Sequence, residues 1–334
     1  MPAAKRLTVQ DIHGAWAVIP TPATPDAADL TARETVDLDE SARVVEALIE
    51  AGVDGILSLG TLGECAALSW SEKRSFIAAM VDAARGRVPI FAGTTTLSTR
   101  ETIEQTRAAL DLGASGTMVG PPMWNTPDVA TAVGFYRDLA QAVPDTAICV
   151  YANPGVFKFD FPPPFWAQVS QIPQVIMAKT IFAGTYLRDV KASGGRVRLL
   201  PLDSEYYAAA RMDPDSAVAF WSSGAVCGPA PVIALRDLVE VAKRTGDWTA
   251  AKDLSDEINE ALLPIVAYGD MSQFHIHNVT LEKVRMDAAG WMTAGPNRPP
   301  HQHAPEHIRE FARAGGEAWA QLHREYERAV AVSD

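Results

Sequence analysis

The run Leu38–Leu59, LDESARVVEALIEAGVDGILSL, sets a helix and a strand back to back. Residues Leu38–Ala51 carry apolar side chains at helical spacing and stop at Gly52, and Gly55–Leu59 then reads as a short apolar strand. The same unit recurs on either side. Upstream, Ala15–Pro20 is a first strand. Downstream, a helix from about Ser71 to Ala84 leads to a strand at Val88–Ala92, and a helix over Thr99–Leu112 leads to Gly116–Val119. Ala147–Tyr151, Val175–Lys179, Val197–Pro201 and Ala217–Trp221 complete a series of eight. Strands that alternate with helices of this length imply a parallel sheet. Eight such units in about 245 residues match the usual size of a (β/α)8 TIM barrel. The competing α/β architecture, a doubly wound open sheet, usually carries a Gly-rich phosphate loop after its first strand, where this chain has Thr21-Pro22-Ala23.

After the eighth helix, Val232–Arg244, the pattern turns all-helical, with candidate helices at Trp248–Tyr268, Val279–Ala289 and His307–Val330. The expected organisation is a barrel over 1–245 and a C-terminal helical extension over 246–334, packed on the barrel because no flexible linker separates them. The loop Thr293–Pro305, with Gly295, Pro296, Pro299, Pro300 and Pro305, is an ordered or extended connection.

Composition narrows the function classes. With 29 basic and 41 acidic residues the formal charge is −12, which disfavours nonspecific binding to nucleic acid or to an anionic membrane surface. A chain of 334 residues, 48% hydrophobic and 21% charged, has ample core, so disordered and disulfide-scaffold classes are excluded. Cys65, Cys149 and Cys227 are odd in number and widely spaced, the pattern of reduced thiols in a cytoplasmic protein. No signal peptide is evident at Met1–Val9, and Ala225–Leu235 is too short to span a bilayer.

A barrel places its chemistry at the C-terminal ends of its strands. Lys179 ends the apolar run Val175-Ile176-Met177-Ala178, where an inward ammonium is costly unless it is used or paired. A desolvated amine loses basicity and can attack a ketone to form a Schiff base. The alternative is a lysine that reaches the rim or pairs with a carboxylate. Tyr151 ends the preceding strand, and parallel neighbours lie about 4.8 Å apart, so both can reach one pocket. A phenol beside an amine suits proton shuttling, though a tyrosine closing the barrel top with its hydroxyl in water fits the position as well. Gly60-Thr61-Leu62-Gly63-Glu64 follows the second strand and offers backbone N–H groups and a hydroxyl, a nest for a carboxylate or simply a tight turn.

Gly-Thr-x-Gly-Glu after strand two, Tyr-x-Asn-Pro after strand five and Lys after strand six resemble, in order, the motifs of the N-acetylneuraminate lyase and dihydrodipicolinate synthase superfamily. The resemblance runs from about residue 14 onward. It implies a pyruvate-handling class I aldolase on a barrel with C-terminal helices, usually tetrameric. Lys179 would then be the Schiff-base lysine and Tyr151 its proton shuttle. Thr61 would hydrogen-bond Tyr151, and the Thr61-Leu62-Gly63 turn would hold the pyruvoyl carboxylate. No metal or redox cofactor is implied, since the covalent Schiff base on Lys179 carries the chemistry.

Departures from the motifs narrow the subgroup. Dihydrodipicolinate synthases carry an arginine after the Tyr-Asn-x-Pro-Gly run, and Val156-Phe157 stand here instead. Leu62, Met123, Trp124, Val156 and Phe157 suit an aryl group better than a sugar acid's polyol. Pro122-Met123-Trp124 and the segment Asn278–Pro300 are similar to the hydratase-aldolases of polycyclic aromatic hydrocarbon breakdown, which cleave benzylidenepyruvates to an aromatic aldehyde and pyruvate. By that resemblance Asn278 positions the added water and Trp124 borders the aryl ring. The expected substrate is trans-2′-carboxybenzalpyruvate, on the ground that an Ala- and Arg-rich, Lys-poor composition looks actinobacterial. The alternatives are trans-o-hydroxybenzylidenepyruvate, a sugar-acid substrate, or a noncatalytic pyruvate-binding barrel.

Other polar groups compete for attention. His275 and His277, with His301, His303 and His307, suggest a metal only if they converge, and exposed loop histidines are commoner. Asp203 reads as a helix cap rather than an acid, Glu64 as a locally paired carboxylate, Ser222-Ser223-Gly224 as a turn, and Lys158 as a rim lysine that could meet a ring carboxylate.

Overall fold

The computed structural model describes residues 6–266 and 271–333. Among them, eight parallel strands form one sheet in the order β7-β6-β5-β4-β3-β2-β1-β8. A parallel bridge from Leu202, just past β7, to Trp221 on β8 joins the two ends of that order, which makes the fold a (β/α)8 barrel. Strands and helices alternate along the chain: β1 Gly14–Val18, α1 Leu38–Glu50, β2 Gly55–Leu57, α2 Trp70–Ala84, β3 Ile90–Gly93, α3 Thr99–Asp111, β4 Gly116–Val119 and α4 Val129–Ala142. Then come β5 Ile148–Tyr151, α5 Pro154–Phe157, α6 Pro163–Val169, β6 Val175–Lys179, α7 Tyr186–Ser193, β7 Arg198–Leu200, α8 Asp203–Met212, β8 Ala219–Ser222 and α9 Ala230–Thr245. The tail is helical: α10 Thr249–Val266, α11 Met271–Ala289 and α12 Glu306–Ser333. Among the described residues no helix is long and apolar enough to cross a membrane.

The chain groups into two compact units, one of Met1–Gly14 with Pro89–Trp221, the other of Ala15–Val88 with Ser222–Asp334. The first holds β3 to β7. Its interior pairs run in register from Phe91↔Gly116 through Thr117↔Ile148 to Tyr151↔Lys179 and Lys179↔Leu200. The register slips by one between Ile148 and Cys149, a bulge that gives β6 an extra residue. Side chains alternate across a strand, so the slip decides which residue of β6 stands beside Tyr151 and on the same face. That residue is Lys179.

The second unit holds β1 and β2, paired from Trp16↔Gly55 to Val18↔Leu57, with α1, α2 and α9–α12. Asp37 and Ser69 cap α1 and α2, and Ser69 with Glu72 forms a reciprocal capping box. In α12 the pair Gly315-Gly316 leaves no room for side chains. A Cβ on Gly316 would stand 2.2 Å from the Arg285 carbonyl oxygen of α11, and one on Gly315 would stand 2.7 Å from Ile265 of α10. Helix α11 is kinked at His277, whose backbone (φ −109°, ψ 16°) leaves the helical region. Periodicity from Val279 onward locates the segment after the kink and misses the turns before it. The expected end of α10, at 267–268, lies outside the described residues.

Candidate active site

In the first unit the facing ends of β5 and β6 set a phenol beside an amine. Both are buried, Tyr151 at 7% exposure and Lys179 at 5%. The Lys179 ammonium nitrogen stands 4.9 Å from the centre of the Tyr151 ring and 3.1 Å from that of Trp221 on β8. Asn153 follows β5 and serves twice. Its carboxamide oxygen accepts from the Val156 N–H at the start of α5, and its Nδ2 donates to the Tyr151 hydroxyl at 3.4 Å. The one-turn helix α5, which hydrophobic spacing does not announce, brings Phe157 edge-on to Tyr151 with ring centres 5.3 Å apart. Gly120 at the end of β4 makes that possible, since a Cβ there would overlap the Phe157 ring at 1.9 Å.

Trp221 is the neighbour of Lys179 that sequence reasoning missed. It reads as the apolar end of a strand, and only its place at the C-terminal end of β8 could have singled it out. Its ring N–H donates to the Thr180 carbonyl and its backbone N–H to the Pro201 carbonyl at 3.0 Å. Cys149 lies two residues before Tyr151, fully buried, and burial pushes its thiol up to about 12, against the opposing pull of Lys179. It therefore stays a neutral thiol and does not compete as a nucleophile. Of the other residues expected in this unit, Met123 is half-buried and Trp124 is 77% exposed, in the loop after β4. Lys158 is exposed in a left-handed C-cap position. Asp203 is the first residue of α8, not its cap, and accepts from the N–H of Ser204 beside it.

In the second unit the Gly60–Glu64 turn is tightly built. Leu59 and Glu64 both take positive φ, and a Cβ on Gly63 would stand 2.9 Å from the Leu59 backbone. The Thr21 hydroxyl donates to the Gly63 carbonyl at 2.8 Å. Thr61 is half-buried, and Leu62 and Gly63 are buried. Glu64 is paired as expected, but not locally. Its carboxylate, fully buried, accepts from Lys283 at 2.9 Å, from the Arg298 backbone N–H at 2.7 Å and from the Arg298 guanidinium. The guanidinium also donates to the carbonyls of Thr21, Pro22 and Thr35 and to the Thr35 hydroxyl. Burial, reinforced by Arg298, pulls Lys283 below the usual lysine range, and Glu64 pulls the other way. Side chains from the tail thus pin a turn after β2.

Asn278 follows the kink in α11. Its Oδ1 is buried and has no hydrogen-bond partner among the described residues. Two residues on, the Thr280 hydroxyl donates to the His301 carbonyl and accepts from Asn297. His277 is pulled below its ordinary range by burial and then by the charges of His307 and His301. Among the described residues no three His, Cys, Asp or Glu side chains converge as metal ligands. Ser222 accepts from the Ala225 N–H, the turn role expected of it, whereas Ser223 bonds Arg285 and Glu282 of α11.

Comparison with known proteins gives the arrangement its class. Residues 19–209 match the Dihydrodipicolinate synthetase family. The chain is 56% identical to the trans-o-hydroxybenzylidenepyruvate hydratase-aldolase of Pseudomonas putida, over 97% of each protein. It is 36% identical to the trans-2′-carboxybenzalpyruvate hydratase-aldolase of Nocardioides sp. (strain KP7), over 96% of each. The solved structure of PhdJ bound to substrate intermediate superposes with a TM-score of 0.93 at 43% identity, covering 97% of this chain and 100% of that one. Fold, site and relatives together define an enzyme, a carbon–carbon lyase of the class I aldolase type. The chain belongs to the dihydrodipicolinate synthetase family and, within it, is a hydratase-aldolase.

Proposed function

We propose that this enzyme hydrates trans-o-hydroxybenzylidenepyruvate and cleaves the product to salicylaldehyde and pyruvate. One observation carries the choice of substrate: 56% identity over nearly the whole length to the o-hydroxy enzyme, against 36% to the 2′-carboxy enzyme. That difference favours the o-hydroxy substrate over the ring carboxylate, an expectation that rested on composition alone.

In this reading the neutral Lys179 amine adds to the C2 ketone, and loss of water leaves a conjugated iminium. The iminium draws electrons from the alkene, so water adds at the benzylic carbon while C3 takes up a proton. Asn278 Oδ1, without a partner among the described residues, accepts from that water. Tyr151, as phenolate, removes the proton of the new hydroxyl, the C3–C4 bond breaks, and the electron pair passes into an enamine. The aldehyde leaves. The enamine is protonated at C3, and water releases pyruvate and the free amine. The Thr61-Leu62-Gly63 turn receives the pyruvoyl carboxylate through its backbone N–H groups. A homotetramer is the assembly that the family resemblance favours, and the widely spaced cysteines favour a cytoplasmic enzyme.

The test is borohydride trapping with pyruvate and peptide mapping, followed by condensation of pyruvate with salicylaldehyde or 2-carboxybenzaldehyde. An adduct on Lys179 and faster condensation with salicylaldehyde are expected. An unmodified Lys179 under saturating pyruvate would sink the mechanism, and a preference for 2-carboxybenzaldehyde would restore the carboxylate substrate.

A further inference from the structure

Trp221 has no part in the mechanism so far, although it lies against the reacting atom. The Lys179 nitrogen stands 3.1 Å from the centre of its ring, nearer than to the Tyr151 ring. The indole is fixed on two sides. Its ring N–H is engaged by the carbonyl of Thr180, the residue after the lysine, and its backbone by Pro201. With its edge so held, the indole offers its π face to the amine. Both side chains are nearly closed to bulk water, at 5% and 7% exposure.

We propose that the Trp221 face is a catalytic surface of the Schiff-base cycle, a platform for the positive charge on Nζ as the iminium forms. The inference rests on the reading of Lys179 as the Schiff-base lysine. The Nζ lone pair bonds C2, and the C2 oxygen takes the proton that nitrogen sheds, giving a carbinolamine. The C2–O bond then breaks, the hydroxyl departs with a proton as water, and nitrogen and C2 share a double bond. Nitrogen is neutral in the carbinolamine and cationic in the iminium. A π face in contact with that nitrogen favours the second over the first. The enamine formed on C–C cleavage is neutral again, so the platform favours iminium formation and opposes the loss of charge that accompanies cleavage.

Site-specific replacement of Trp221 by mono-, di- and trifluorinated tryptophans tests this, because fluorine drains the π face while shape and N–H remain. The readout is the pyruvate concentration giving half-maximal borohydride trapping on Lys179. It should rise stepwise with fluorine number, by about 3- to 30-fold across the series, while single-turnover cleavage from the formed iminium becomes no slower. Trp221→Phe and Trp221→Leu supply a second measurement. Both lose the hydrogen bond to Thr180, but only the first keeps an aromatic face, so the phenylalanine variant should trap at lower pyruvate. A flat fluorine series overturns the proposal, as do phenylalanine and leucine variants that fold and trap alike. If the parent enzyme traps no pyruvate on Lys179, the functional reading itself fails. If it traps normally and the series is flat, only the role of Trp221 fails.

Discussion

Tyr151 and Lys179 are matched by the register of β5 and β6. In the proposed cycle the phenol and the amine serve different steps, so their substitutions should separate. Tyr151→Phe is expected to lower kcat by about 10²- to 10⁴-fold, the usual worth of a general acid–base group, while pyruvate can still be trapped on Lys179. Loss of trapping in step with loss of turnover would instead make Tyr151 a structural support. Asn278→Ala should slow hydration of the benzylidenepyruvate more than cleavage of its hydrated product. Equal loss in both would take the water-binding role away from it. Lysine and tyrosine were legible because a polar group at the end of an apolar run demands an explanation. Trp221 was not, because an aromatic residue there satisfies the hydrophobic pattern and asks for none.

The elements owe their stability to polar groups that hydrophobic periodicity passes over. Burial pushes Glu72 up, but hydrogen bonds from Thr35 and Ser69 outweigh it and hold the carboxyl at about 2. A depressed carboxyl stabilises the fold above its unfolded pKa, and that contribution is lost as pH falls from 4.5 towards 2. Thr35→Val should therefore flatten the fall of Tm over that window, and a parallel curve would contradict the assignment. The Glu64 cluster makes a larger claim. Removing one cation from a buried ion pair typically costs about 3–5 kcal/mol, so Lys283→Met should lower Tm well beyond an exposed lysine change such as Lys252→Met. Strand limits were readable to the residue at Gly116–Val119 and Val175–Lys179, where apolar runs meet polar or turn residues at once. Helix α11 was only half readable, because its backbone breaks at His277, and α5 was invisible, since four residues carry no period. The partner of Glu64 was misjudged for a related reason: neighbours in sequence are easy to consider, and a lysine 219 residues away is not.

For the molecule as a whole, eight strand–helix repeats and the order of three motifs made architecture and chemistry readable together. The covalent nitrogen carries every step of the proposed cycle, so exhaustive dialysis against EDTA should leave kcat/KM unchanged. A fall of tenfold or more, restored by one added metal, would bring His277, His301 and His307 into the mechanism. The tail is legible as helices but not as packing. Gly315 and Gly316 look like weak points in a helix, yet they are where α12 meets α10 and α11 most closely. Gly316→Val should leave α12's own helix propensity slightly better and the folded protein much less stable, which chemical denaturation can read.

The pairing of Glu64 with Lys283 and Arg298 also has a consequence in time. A ribosome delivers the acid 219 residues before the first of these cations and 234 before the second. Until then the carboxylate has neither of the charges that make its burial tolerable, and the turn that carries Thr61 cannot close around it. Nascent chains arrested short of Lys283 should be cut by protease at Gly60–Glu64, and chains released beyond Arg298 should be protected there. On this account the enzyme would come off the ribosome with its barrel strands made and the Gly60–Glu64 turn among the last pieces to set.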